Sequence, residues 1–312
     1  MALEFDLSFE PAHGRPVTVA DGVLRVTANN PGPFTFHGTN SYIVGKERLA
    51  VIDPGPDDET HLAAVVAAIG GRPVSHIFVS HTHRDHSPLT AKLKAATGAT
   101  VLAEGPHRPA RRLRIGEVNP LDASADTEFQ PDVRLADGEV VDGGEWRLAT
   151  ILTPGHAANH AAFALEGAGI LFSADHVMAW STSIVAPPDG AMADYMASLD
   201  KLLKRDDRVF LPGHGGPVAQ PQQFMRGLKA HRKMRERAIL ERLTAGDRTI
   251  PDMVAQIYRD TDPRLRGAAA LSVLAHLEDL VARGIVTTAG DPSIDAEYRP
   301  GPSPQTASKR EE

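Results

Sequence analysis

The chain reads as an α+β protein in two parts, and three observations carry that reading. Apolar runs of strand length dominate the first half and alternate with a few helical stretches. Beyond residue 222 three helical patterns follow one another and close on a short strand. Between these regions, side chains that bind metals recur where a strand runs out into a Gly/Pro turn.

The first such strand, Ile77-Phe78-Val79, leads into His81-Thr82-His83-Arg84-Asp85-His86. A histidine-rich surface loop is the bland reading, and the partners found downstream outweigh it. Imidazole suits zinc, copper, iron and nickel, and a mixed His/Asp set without thiolate fits zinc or iron best. Residues two apart on an extended chain point the same way, so His81 and His83 can grip one metal together. Asp85 and His86 follow the turn and can face a second metal. Ser87 then reads as an N-cap, Pro88 as the first helical turn, and Leu89, Leu93 and Ala96 as one face, with Gly98 ending the helix. Asp85 and His86 would thus precede a helix N-terminus, where anionic groups are favoured.

Residues 104–136 lack periodicity and carry Arg108, Arg111, Arg112 and Arg114. A loop that long in a compact domain is usually functional or disordered. It reads as a flexible flap whose cations attract an anionic substrate, or as a solvated insertion. Further on, Trp146, Leu148, Thr150 and Leu152 alternate as a strand does, ending at Thr153-Pro154-Gly155-His156. Ile170–Ala174 runs into Asp175, and Val209–Pro212 into Gly213-His214-Gly215. Gly143-Gly144 and Glu166–Gly169 read as hairpin turns. Met192–Lys204 is a helix with Met192, Met196, Leu199 and Leu203 on one stripe. Loops at strand ends are where binding residues usually sit, and seven candidates in consistent places form a set.

Composition narrows the class. The length suits about two domains. No run approaches the ~20 apolar residues of a membrane span. The opening Met1-Ala2-Leu3-Glu4-Phe5-Asp6 has neither a basic leader nor an apolar core, so a cytoplasmic location is expected. With no cysteine, disulfides and thiolate ligands are excluded. A net charge of −7 argues against a surface that is wholly a nucleic-acid platform. The sequence carries no signal for an oligomeric state.

The four segments around His81–His86, His156, Asp175 and His214 resemble the metal signature of the metallo-β-lactamase fold superfamily. Gly38-Thr39-Asn40-Ser41-Tyr42-Ile43-Val44 and Val51-Ile52-Asp53-Pro54-Gly55 are similar to that family's first strands. The resemblance covers roughly residues 20 to 220 and implies a four-layer αββα sandwich. It implies one metal on His81, His83 and His156, and a second on Asp85, His86 and His214, with Asp175 bridging. Two zinc ions per chain are expected, with iron or manganese as alternatives. Asp53 would orient a metal-binding loop, or serve only as a turn residue before Pro54-Gly55. His160 would support the ligands or pack as an ordinary buried histidine.

The C-terminal patterns are helices at about 222–243, 251–258 and 266–283, then a strand at 284–288. Eight Arg/Lys stand between Arg226 and Arg248. This arrangement is similar to the small winged-helix-like domain of the branch that includes β-lactamase-like protein 2, whose animal members act as single-stranded RNA endonucleases. His231-Arg232, Leu274–Leu277 and Arg84 strengthen the comparison. Arg232, Lys233 and Arg235 are candidate nucleic-acid contacts, against the plainer reading of a solvated face. Ser87-Pro88-Leu89 stands where the branch usually has small residues, and Asn159 where it often has an acid. The expected division is a catalytic domain at 1–221, a winged-helix-like domain at 222–290 and a disordered tail at 291–312.

The chemistry the resemblance implies is direct hydrolysis. Two cations ~3.5–4 Å apart bring a shared water's pKa toward ~7. Asp85 would act as ligand and proton acceptor, without a covalent intermediate. The favoured substrate is an RNA phosphodiester, the alternative a thioester of the glyoxalase II type. A mononuclear iron persulfide dioxygenase and a noncatalytic RNA-binding module are readings of other classes.

Overall fold

The computed structural model describes residues 3–114, 117, 119 and 122–302. The first sheet follows chain order: β1 (Val17–Ala20), β2 (Val23–Thr27), β3 (Asn40–Val44), β4 (Leu49–Ile52), β5 (Val74–Val79), β6 (Thr100–Ala103) and β7 (Val133–Arg134). The first four are antiparallel, and β4 to β7 are parallel. Parallel neighbours need a crossover. Helices α1 (Glu59–Ile69) and α2 (Thr90–Thr97) supply the first two. Asp58 caps α1 by accepting from Thr60 N, and Gly70 stops it in the left-handed region at φ 62.

The second sheet is β8 (Val140–Asp142), β9 (Arg147–Leu152), β10 (Ala161–Leu165), β11 (Ile170–Ala174) and β12 (Val209–Pro212), ordered β12-β11-β10-β9-β8. Helix α3 (Met192–Leu202) makes the crossover to β12, which pairs parallel to β11.

Period-two alternation then builds the layers. Tyr42, Phe78, Phe163 and Phe172 meet between the sheets. Their neighbours Ile43 and Ile77 turn outward onto Val65, Ile69 and Leu93 of α1 and α2. On the other side Ala162 and Leu171 face Tyr195 and Leu199 of α3. The chain forms a metallo-β-lactamase fold, two sheets face to face with helices outside. Strands buried on both faces explain the near-continuous apolar runs in the sequence.

Helix α4 (Pro221–Ala245) belongs to two cores. Met225 and Leu228 pack with α3 and β12, whereas Ile239 and Leu243 pack with α5 (Ile250–Ile257) and α6 (Arg266–Ala282). The boundary expected between 221 and 222 therefore falls at the head of a helix whose first half is seated on the sandwich. The strand expected near 284–288 is β13 (Val286–Thr288), and it pairs antiparallel with β14 (Tyr298–Pro300).

Three expectations need correcting. The tail does not begin at 291: Tyr298 is fully buried and donates through its hydroxyl to Ser293 O. The remainder of that expectation, 303–312, lies outside the described residues. Helix α2 starts at Thr90 rather than after Ser87, because the Ser87 hydroxyl donates to Asp126 instead of capping. Of the four arginines of 104–114, Arg112 is exposed and, among the described residues, in no ion pair, but the other three are not free cations. Arg108 pairs with Glu104, Arg111 with Glu117 and Glu278, and Arg114 with Glu278. Among the described residues, no helix is long and apolar enough to cross a membrane.

Candidate metal centre

Seven side chains from four strand ends converge at one edge of the sandwich. His81, His83, Asp85 and His86 follow β5, His156 follows β9, Asp175 follows β11 and His214 follows β12. They form three overlapping groups: His81/His83/His156, His81/His86/Asp175 and Asp85/His86/His214. Within each group the ligating atoms lie within 4.8 Å of one another. His83 Nδ1 stands 2.9 Å from both His81 Nε2 and His156 Nε2. His214 Nε2 is 3.2 Å from Asp85 Oδ2 and 3.3 Å from Asp175 Oδ2. Asp175 also reaches His156 Nε2 at 3.6 Å and, through Oδ1, His86 Nε2 at 3.4 Å, so it sits between the two outer groups.

The surrounding shell sets which ring nitrogen faces inward. His156 Nδ1 donates to Ile184 O at 2.6 Å and His214 Nδ1 to Gly38 O at 3.2 Å, which turns both Nε2 atoms to the centre. Asp53 serves both halves. Its Oδ2 is 2.9 Å from His86 Nδ1 and 2.7 Å from Ser80 Oγ, which in turn is 3.0 Å from His81 Nδ1. The Ser80 backbone N–H donates to its other oxygen. His160 supports rather than joins the set: its Nδ1 meets Thr153 Oγ1, and Asp175 N donates to its Nε2 at 3.3 Å. Arg84 is exposed and donates through Nε to Ala125 O.

Several groups have roles that the sequence reading left unassigned. Thr39 donates to Asp85 Oδ2 at 3.1 Å. Ser80 relays Asp53 to His81, and the Ile184 carbonyl orients His156. Thr39 lay in a segment already singled out, and Ser80 adjoins the metal motif. A backbone carbonyl has no sequence signal. Asn159 donates to Thr82 Oγ1 and to the carbonyls of Gly105 and Pro106, bracing the metal loop against 104–106.

The residues fit divalent cations on three counts. His86 Nε2 and Asp175 Oδ1 are buried without a hydrogen-bond partner, an arrangement that is costly unless something binds them. A Cβ at Gly213 would stand 2.5 Å from Asp175 Oδ1 and 2.7 Å from His86 Cε1, so only glycine leaves these two side chains their places. The charges also match. Burial, with His156 adding to it, pushes His83 down to about 3, so it stays neutral as a metal ligand must. Burial opposes charge on Asp85 and Asp175 as well, yet His86 and His214 hold both well below the usual carboxylate range. Against the same burial, Asp175 and Asp85 raise His214 to about 9. The acids demand positive charge at this spot, and a cation would take the place of those protons.

The centre opens on a cleft of about 780 Å³ between the sandwich and the C-terminal helices. Pro33, Phe34, Met178 and Trp180 form one wall, with Phe36 stacked on Trp180 at 4.9 Å. Tyr258, Leu265, Ala268 and Leu271 form the other. The three cations expected on an exposed basic face are placed differently. Arg232 is buried, bonded to Ser183 O and over the Tyr195 ring; Arg235 is half-buried over Tyr258; only Lys233 is exposed.

Comparison with known proteins agrees with this architecture. Residues 34–214 match the metallo-beta-lactamase superfamily, and 249–295 the beta-lactamase associated winged helix domain. A beta-lactamase-like protein 2 homolog of Drosophila melanogaster is 28% identical over 277 residues, spanning 85% of this chain and 90% of the relative. An atrochrysone carboxyl ACP thioesterase of a Cryptosporiopsis species is 29% identical over 261 residues, 78% of this chain and 74% of the relative. A metallo-beta-lactamase family protein of Thermus thermophilus superposes with a TM-score of 0.73 at 26% identity, covering 91% of this chain and all of that one. Sandwich, ligand-bearing strand ends and appended helices agree with both matches: the chain belongs to the metallo-β-lactamase superfamily and carries that family's associated winged helix domain.

Proposed function

We propose that the protein is a metal-dependent hydrolase of an acyl thioester whose acyl group is bulky and apolar. The observation that carries this reading is the cleft. Its volume suits a drug-sized molecule, and its lining is mostly apolar, with Phe34, Met178 and Trp180 facing Tyr258, Leu265 and Leu271 and a few polar side chains such as Arg84 and Ser181 between them. Such walls favour a hydrophobic body with a reactive group at the inner end. The name of the Cryptosporiopsis relative, a thioesterase, supports the same reaction class.

His81, His83 and His156 would hold one ion, Asp85, His86 and His214 the other, and Asp175 both. Bound there, two divalent cations such as zinc would activate a water and polarise the thioester carbonyl. Asp85 is the ligand carboxylate most open to the cleft, with its side chain 25% exposed against 9% for Asp175. It is therefore the residue to accept the proton of the attacking water, and Thr39 holds it in place. No serine or cysteine nucleophile is required.

An RNA phosphodiester, the substrate favoured on sequence alone, ranks second. Of the cations that argued for it, Arg108, Arg111 and Arg114 are engaged by carboxylates, while Arg232 and Arg235 sit in the wall of an otherwise largely apolar cleft rather than on an exposed basic face. The second triplet, Asp85/His86/His214, supports a two-ion hydrolase over a mononuclear iron oxidase. The test is to count the metals on purified protein and offer it a medium-chain acyl thioester, a single-stranded oligoribonucleotide and a β-lactam side by side. Fastest turnover of the thioester, with about two ions per chain, is the expected result. Preferred cleavage of the RNA, or a single iron with oxygen uptake, would overturn the proposal.

A further inference from the structure

Helix α4 turns three nitrogen-bearing side chains toward the cleft. His231, Arg232 and Arg235 lie at positions i, i+1 and i+4, on one helical face. Among the described residues, neither arginine has a carboxylate within ion-pairing distance. Arg232, only 4% exposed, has the Ser183 carbonyl and the face of Tyr195 as partners, and its Nε is unpartnered. Arg235 has a 3.4 Å contact to Ile257 O and lies 4.7 Å over the ring of Tyr258. Its Nε is likewise buried without a partner.

Among the described residues, buried Arg25 is likewise met only by the carbonyls of Glu10 and Pro11 and the ring of Phe9, but other arginines of the chain are neutralised. Arg111 meets Glu117 and Glu278, Arg205 meets Asp207, and Arg242, two turns further along α4, meets Asp247. A buried charge without a counter-ion is costly, and the cost falls when an anion arrives. Burial, reinforced by the two arginines, lowers His231 to about 4. Cationic crowding on this face is therefore already relieved at the histidine, but a guanidinium cannot shed its proton.

Resting on the thioesterase reading above, we infer that Arg235 and Arg232 form an anion subsite that receives a carboxylate carried by the acyl group at the end remote from the thioester. The metal-binding residues take the reactive carbonyl, the apolar walls take the body, and α4 takes the charged end. A guanidinium fork matches the two oxygens of a carboxylate. In a wall formed by Tyr258, Leu265 and Leu271, a singly charged group is also less costly to strip of water than a phosphate.

The test uses full-length metal-loaded protein and three acyl thioesters of one chain length, ending in methyl, carboxylate or phosphate. Wild type is expected to favour the carboxylate end over the methyl end by about tenfold or more in kcat/KM. Arg235→Gln should bring that ratio near unity, and Arg235→Lys should leave it between the two. Equal rates for the methyl and carboxylate ends in wild type overturn the subsite while the hydrolase reading stands. A ratio that survives Arg235→Gln overturns it too, and preference for the phosphate end overturns the carboxylate assignment. If none of the thioesters is hydrolysed, the functional reading fails instead. Calorimetry of a medium-chain diacid against the matching diol then decides the subsite alone. Diacid binding weakened about tenfold by Arg235→Gln supports it, and unchanged binding refutes it.

Discussion

At the scale of single residues, Asp53 shows how little surrounds a metal ligand by accident. It adopts φ 51, a left-handed conformation that side chains other than glycine rarely take, directly after β4. Strain of this kind persists where the surroundings demand it. Here the demand is to accept from Ser80 and His86 at once, something a carboxylate does and an amide cannot do equally. Asp53→Asn should therefore weaken metal binding about 10–100-fold with the fold retained, measured by competition against a chelator. His276 offers a second test. It is buried on α6 with neither ring nitrogen partnered, and burial, with Arg232 nearby, lowers it to about 3. Its folded pKa lies below the unfolded value, so its neutral form stabilises the protein fully above pH ~6.5, and that contribution drains away as pH falls toward 3. His276→Leu should flatten the acid side of a melting-temperature profile between those limits; an unaltered slope would mean the imidazole is solvated. The seven side chains that converge could be picked out in the sequence because the apolar runs before them end in turns. Arg232 and Arg235 were singled out as contacts on an exposed basic face, and only the tertiary fold shows that they face the cleft instead.

Secondary-structure elements were legible wherever periodicity was strong, and misread where distant partners decided. The Ser87 hydroxyl had a cap to make locally and an acid, Asp126, to meet across the loop; the acid won. Strand β14 was hidden because Glu297-Tyr298-Arg299-Pro300 looks like polar tail, yet Tyr298 anchors it in the helical core. Arg111 and Arg114 looked free because Glu278 lies more than 160 positions away, on α6. That carboxylate ties the loop to the winged helix domain. Glu278→Gln should leave Arg111 and Arg114 with a neutral partner and loosen the tie. Limited proteolysis should then cut between 104 and 114 several-fold faster than in wild type, while equal rates would show that the pairs contribute nothing, as many surface pairs do not.

For the molecule as a whole, the sandwich followed from the family resemblance rather than from the strands alone, and the relation between the two domains was invisible in the sequence. Helix α4 supplies that relation by rooting itself in both cores. Cation binding to the folded state alone adds stability by mass action, about 4 kcal/mol at a thousandfold excess over Kd. Stripping the ions should therefore lower the melting temperature by several degrees and abolish hydrolysis, and zinc should restore both. Recovery with one equivalent of metal would argue that the second triplet is idle.

The cleft has two owners. Its inner end is built from strand tips of the sandwich, its outer wall from helices of the appended domain. The side chains that could hold metal and those that shape the outer wall thus belong to different domains. Replacements at Leu265, Ala268 or Leu271 should therefore reshape the mouth of the cleft while every imidazole and carboxylate of the centre keeps its place.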